Sequence, residues 1–288
     1  MGTIFILEDL FCRMMSHPAI LPHIGNPDRE QAKKIYNPRT SDAVKLLIAK
    51  PFEERIQPTD QARYAYALSL SKVAFQFIVL HEFSHLHFGH IHYVKKYSKD
   101  LLIVEDNNVD YKTLTELNYQ TLEMDADANG LSQCLRYLLD LGAHRDFILS
   151  KDFAPFFKTP EDVIFKMSFA IQSVFSLYDS NDYQPELFNK FSHPPIGIRQ
   201  AHKDHYLVQI LELIYLGDNI EKLWEAVMEG SGKCMEAFNL ISETKVSYKN
   251  YFNAMEQQFD KDHLDTILLN WKKIRPELSK YTRGKLSP

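Results

Sequence analysis

Apolar positions along this chain recur at helical spacing and rarely alternate. Residues 2–15 fit an amphipathic helix, or a short strand followed by one. Pro18, Pro22, Pro27 and Pro38 then break the chain into loops. Helical patterning returns over 41–56, interrupted at Pro51. From Thr59-Asp60 the pattern sharpens. Asp60 caps a helix predicted to run through Tyr64, Leu68, Ala74, Ile78 and His81 to about Lys95. It is apolar on more than one face ahead of His81, which predicts burial. Residues 99–112 are polar, with Asp106-Asn107-Asn108 marking a loop. A second long helix is predicted from about Leu114 to Leu141, stopping at Gly142. Thr159-Pro160-Glu161 opens a third, with proline at the first position, reaching about Tyr178. A loop from Ser180 to Phe191 follows. Ser192-His193-Pro194-Pro195 then leads into a helix through Arg199, Leu207 and Leu213, and two further helical stretches cover about 218–242 and 247–273.

The expected fold is mainly α. It leaves room for a small β-sheet that no alternating run places, and no clear strand precedes Asp60. The pattern divides the chain into an N-terminal segment of undetermined structure (1–58), a core (59–216) and a C-terminal helical extension (217–288), together forming one compact unit.

Composition narrows the function. With 288 residues, 45% hydrophobic and 25% charged, the chain reads as an ordinary soluble globular protein with a sizeable core. A formal net charge of −5 leaves no basic excess to neutralise phosphates, which argues against nucleic acid as the main partner. Lys95-Lys96 and Lys272-Lys273 read as solvated helix ends. Cys12, Cys134 and Cys234 are far apart and form no CxxC, so a disulfide framework is not expected and a reducing compartment fits. Cys134 falls in an apolar helical run and is expected in the core. Glu8 and Asp9 interrupt the first apolar run, so no signal peptide is read. Met1-Gly2 is followed at position 6 by Ile, which excludes a myristoylation signal. No apolar run near Phe77–Leu80 approaches a membrane span. The expected location is the cytoplasm.

Candidate chemistry lies at residues 81–85, His-Glu-Phe-Ser-His. Histidines at i and i+4 lie one above the other on a helix face, so both rings can reach one metal ion, with Glu82 beside them to take a proton from metal-bound water. HExxH alone is a weak signal. Three observations strengthen it. The motif directly follows Phe77-Ile78-Val79-Leu80, where an unpaired Glu and two His are costly unless a divalent cation coordinates them. Glu123 and Asp127 have the ExxxD spacing on the second long helix, which suits Glu123 as the third ligand and Asp127 as acceptor of a ligand histidine's free N–H. Asp125 competes for that role but points away from the face that Glu123 and Asp127 share. Ala126, Ala128 and Gly130 argue against a merely solvated acidic face. Third, His87, His90 and His92 follow the motif. Gly89 and His92 each fall one position too late for HExxHxxGxxH, so His92 is not assigned as a ligand. His90 is expected to cap or pack near the helix end, and support of a ligand histidine from behind is the lesser alternative.

The stretch from His81 to His90 resembles the HExxHxxxxH of the HtpX-type and CAAX-processing zinc endopeptidases. Glu123-Met-Asp-Ala-Asp127 resembles their ExxAD, and Ser192-His193-Pro194-Pro195-Ile-Gly-Ile-Arg199 their HPxxxxR. In size and lack of membrane spans the organisation is closer to the Lit-type phage-exclusion peptidases. The resemblance covers about residues 60–205. It implies a gluzincin-like helical core, Zn2+ as cofactor, an intracellular protein or peptide substrate, and a role in phage exclusion or stress response. It also implies His193 and Arg199 as candidates to stabilise the tetrahedral intermediate. On this reading Zn2+ is held by His81, His85 and Glu123, with Glu82 as general base.

Three rival readings remain at this stage. The first is an inactive zinc-binding sensor or interaction protein, against which Glu82 speaks, because structural zinc sites have no use for an adjacent base. The second is a zinc amidase acting on a small molecule, and the third a helical scaffold without metal. Oligomeric state is not legible.

Overall fold

Asp60 starts the helix that carries the His-Glu motif. Its carboxylate accepts the backbone N–H groups of Ala62 and Arg63, at 3.0 and 3.1 Å, which satisfies two of the amides left open at a helix start. Glu30 in turn accepts the N–H groups of Thr59 and Asp60, at 3.0 and 2.8 Å.

The computed structural model describes residues 2–31, 56–97, 114–143, 156–178, 192–194, 196–214, 220–242, 258–284 and 286. Eight α-helices occur among them: α1 (Gly2–Met15), α2 (Gln61–His87), α3 (His90–Tyr97), α4 (Glu116–Ala143), α5 (Pro160–Tyr178), α6 (Ile196–Ile214), α7 (Ile220–Ile241) and α8 (Gln258–Leu278). A short 3-10 turn spans Pro27–Arg29. The fold is mainly α, and the described residues contain no strand. The helical pattern over 41–55, the loops over 99–112 and 180–191, and residues 247–257 of the last predicted helix lie outside the described residues. No helix among the described residues is long and apolar enough to cross a membrane.

One boundary departs from expectation. The helix predicted to reach Lys95 ends at His87, and α3 starts afresh at His90. Gly89 sits between them with φ of 81°. A Cβ there would lie 2.7 Å from Cβ of Tyr281, so both the left-handed backbone and the close approach call for glycine. Periodicity does not see this break, because apolar spacing continues across it.

The chain divides into two compact units, each assembled from three separate stretches. The first comprises 1–78, 132–181 and 204–248. Its core holds Leu7, Leu10, Phe11, Met14, Phe77, Phe169, Phe175 and Phe238, all nearly or fully buried. Phe77 meets Phe175 edge to face at 5.8 Å between centroids. Cys12, Cys134 and Cys234 are buried and unbridged. Helices α5 and α7 pack closely, because Gly230 puts bare backbone against the carbonyl of Phe165, 2.5 Å from where a Cβ would stand. Thr159 and Asp162 cap α5 reciprocally, each side chain accepting the other's N–H at 3.2 Å, with Pro160 at the first helical position.

Arg63 organises the loops after α1. Its guanidinium is fully buried and donates from Nε to Met15, from Nη1 to Leu21 and Ile24, and from Nη2 to His17 and Ile20. All five N–H donors therefore go to backbone carbonyls at 2.7–3.1 Å.

The second unit comprises 79–131, 182–203 and 249–288. Its apolar cluster joins Phe88, Tyr93 and Leu122 to Trp271, Ile274, Leu278 and Leu286. Burying each large side chain contributes about 1.5–3 kcal/mol. Polar contacts fix α8 along α4. Asn270 donates to Thr121 Oγ1 at 2.9 Å and to Asn118 Oδ1 at 3.0 Å, and the buried His263 and Gln120 side chains meet at 2.8 Å. The chain end closes on the motif helix, where the N–H of Arg283 donates to the carbonyl of His87 at 2.9 Å.

Replacing Arg63 by Met removes five hydrogen bonds and leaves the carbonyls of Met15, Ile20 and Ile24 without this donor, so we expect a loss of about 3–5 kcal/mol in urea unfolding. Unfolding indistinguishable from wild type would show that the guanidinium does not organise this region.

Candidate metal centre

The last turns of α2 and the first third of α4 bring His81, His85 and Glu123 together within the second unit. The i,i+4 spacing sets the two imidazoles one above the other on α2. Their Nε2 atoms are 3.2 Å apart. Glu123 presents Oε2 at 3.4 Å from His81 Nε2 and Oε1 at 3.4 Å from His85 Nε2. These three side chains are the group among the described residues whose ligand atoms converge closely enough to hold a metal ion. Ligands held tetrahedrally at zinc distances of about 2.0–2.1 Å lie roughly 3.3 Å from one another. The observed separations match that figure, so the residues present fit a divalent cation.

Asp127 stands one turn beyond Glu123 and lies 2.9 Å from His81 Nδ1 through Oδ1. Arg199 clamps it from α6, donating Nε to Oδ2 and Nη2 to Oδ1, both at 2.7 Å. The Arg199 Nη2 atom is also 4.0 Å from Glu123 Oε2. This guanidinium is thus engaged by the carboxylate that contacts His81. His193 lies just ahead of α6, with Nε2 3.6 Å from Glu123 Oε2 and Nδ1 3.0 Å from Ser192 Oγ. Its side chain is 61% exposed, which keeps it available to a bound molecule. Glu82 is exposed, on the turn between the two histidines.

The charges are interdependent. Burial alone would raise the Asp127 carboxyl, but Arg199 and His81 hold it well below the usual carboxylate range. Glu123 is likewise raised by burial and lowered further by His81, His85 and Arg199, for a net depression. Burial depresses His81, yet Asp127 and Glu123 overcome it and raise the ring to about 9. His85 goes the other way, to about 4, because burial dominates and the neighbouring His90 and His81 oppose a second positive charge. Without a cation, one proton on His81 therefore supplies positive charge between two carboxylates.

The sequence favours packing for His90 over support of a ligand histidine, and sets Asp125 aside as pointing away from the face of Glu123 and Asp127. His90 Nδ1 lies 3.0 Å from His85 Nδ1, and His90 Nε2 lies 3.1 Å from Asp125 Oδ2. His90 is buried, and it touches a motif histidine rather than only packing near the helix end. On an unbroken helix it would project about 140° round from His85. The turn at Gly89 removes that constraint. His92 stays outside the cluster, stacked on Tyr281 at 6.1 Å.

A family model for Peptidase U49 matches residues 22–199, more than half of the chain. The chain belongs to the Peptidase U49 family. No curated protein and no solved structure matches it. Membership makes the protein a peptidase, a hydrolase whose substrate is protein. The His-Glu motif, the Glu123-Asp127 pair and Arg199 all fall inside the matched region, whereas α7 and α8 lie beyond it.

A cation entering the cluster must displace the His81 proton, because coordination needs the Nε2 lone pair. His81 titrates near 9 and His85 near 4. Between those values one proton competes, so metal affinity should rise about tenfold per pH unit and level off above pH 9. Calorimetry at pH 7.5 in buffers of different ionisation enthalpy should register about one proton released per metal bound. A pH-independent affinity between 5 and 8 would contradict this charge assignment.

Proposed function

We propose that this U49 peptidase is a zinc-dependent endopeptidase whose metal is held by His81, His85 and Glu123. The observation that carries the reading is the convergence of two imidazole nitrogens and a carboxylate at 3.2–3.4 Å, close to a tetrahedral ligand set. Bound there, zinc supplies Lewis acidity that activates water and polarises the scissile carbonyl.

The chain's own residues supply the rest. Glu82 takes the proton from the attacking water and passes it to the leaving amine. Its exposure on the turn between the histidines suits that exchange. Asp127 orients the His81 ring through Nδ1, and Arg199 holds Asp127 in place by its bidentate contact. Arg199 acts in this scheme as a positioning residue. His193 is the group proposed to donate a hydrogen bond to the oxyanion of the tetrahedral intermediate, supported by its exposed ring beside Glu123. The resemblance of the motif order to HtpX-type and Lit-type enzymes supports an intracellular protein substrate and a part in phage exclusion or stress response.

The test is Glu82→Gln. This variant should keep one zinc per chain while peptide hydrolysis falls by about 10²–10⁴-fold. His81→Ala should lose both. Wild-type hydrolysis in Glu82→Gln would falsify the role given to the carboxylate. Zinc binding without cleavage of any protein by the wild type would favour an inactive sensor.

A further inference from the structure

Resting on the reading of His81, His85 and Glu123 as metal ligands, we propose that His90 and Asp125 form a relay that orients His85. Each ligand histidine then has its second ring nitrogen governed by a carboxylate of α4. Asp127 serves His81 directly, with 2.9 Å to Nδ1. Asp125 serves His85 through the intervening ring of His90, by contacts of 3.1 and 3.0 Å.

Hydrogen-bond logic sets the tautomers. A carboxylate is an acceptor only, so His90 carries its hydrogen on Nε2 and donates it to Asp125 Oδ2. Neutral His90 then has a bare Nδ1, which can only accept. The facing Nδ1 of His85 must therefore bear a hydrogen. That leaves the lone pair of His85 on Nε2, the atom that lies 3.2 Å from His81 Nε2 and 3.4 Å from Glu123 Oε1. Asp125 thus selects the coordinating tautomer of a ring it never touches.

Burial supports a purpose for the pair. The side chains of His90 and Asp125 are 1% and 4% exposed. Such a pair is often no more stable than apolar residues of similar size, so it needs a reason other than packing. Opposite sides of α4 carry the two carboxylates, since Asp125 and Asp127 are two positions apart. One helix consequently reaches both imidazoles, from two directions.

The experiment uses the full chain, stripped and reloaded with Zn2+ or Co2+. Zinc affinity is measured by competition with a chelator, and the cobalt ligand-field spectrum is recorded. His90→Ala and Asp125→Leu, which removes the acceptor, should each weaken zinc binding by about 10–100-fold and shift the cobalt bands, with one site per chain retained. The double variant should bind no more weakly than His90→Ala, because Asp125 acts through His90. His90→Gln, whose amide oxygen can accept the His85 hydrogen, should recover part of the loss. His92→Ala, outside the cluster, should match the wild type. Wild-type affinity and an unchanged cobalt spectrum in folded Asp125→Leu would overturn the relay, whether or not His90→Ala folds. Additive losses in the double variant would also overturn it, since two independent packing defects behave that way. A wild-type chain that binds neither metal would instead remove the ligand reading, and this inference with it.

Discussion

Two imidazole nitrogens and a carboxylate edge lie 3.2–3.4 Å apart in a mostly buried place, where positive charge among them stabilises the arrangement. The rest of the second unit answers that constraint. Glu123, Asp125 and Asp127 crowd three acidic groups into little more than one turn of α4. Arg199 neutralises one of them by a bidentate contact, and His90 takes the hydrogen-bonding capacity of another. Glu123 is left facing the two Nε2 atoms. A proton on His81 meets the need, and on the proposed reading a divalent cation would meet it better, because it could bond to all three at once.

Holding these groups in register is the task of the surrounding helices. The spacing within α2 stacks His81 on His85, and the spacing within α4 aligns Glu123 with Asp127. Neither helix alone fixes the distance between them. In the second unit α8 lies along α4 through Asn270 and His263, and Trp271 and Leu278 share an apolar cluster with Phe88 and Leu122. The residues beyond α8 then tie to the end of α2 at His87, beside the Gly89 turn. The stretch matched by the family model stops at residue 199, so the helices that carry His81, His85 and Glu123 lean on a part of the chain outside it.

Much of this was readable before any coordinates. The caps at Asp60 and Thr159 and the 3.6-residue spacing predicted α2, α4 and α5 to within a few residues, apart from the far end of α2. Local chemistry fixes such features, and local chemistry is what a sequence displays. The pairing of His81 and His85 with Glu123 and Asp127 was likewise suggested by spacing alone. What escaped notice depended on contacts distant in sequence. Gly89 breaks the helix because Tyr281 approaches it, almost two hundred residues away. The contact between His90 and His85 depends on that break, so helical spacing favours packing for His90. Arg199 showed itself as a motif residue, but its engagement with Asp127 rests on where α6 passes α4.

The most direct test of the central claim is the X-ray absorption spectrum of the full-length protein loaded with one equivalent of zinc. The account predicts a four-coordinate edge, nitrogen and oxygen scatterers at about 2.0–2.1 Å, and outer-shell features of two imidazoles. Sulfur in the first shell, or a spectrum without imidazole scattering, would contradict it.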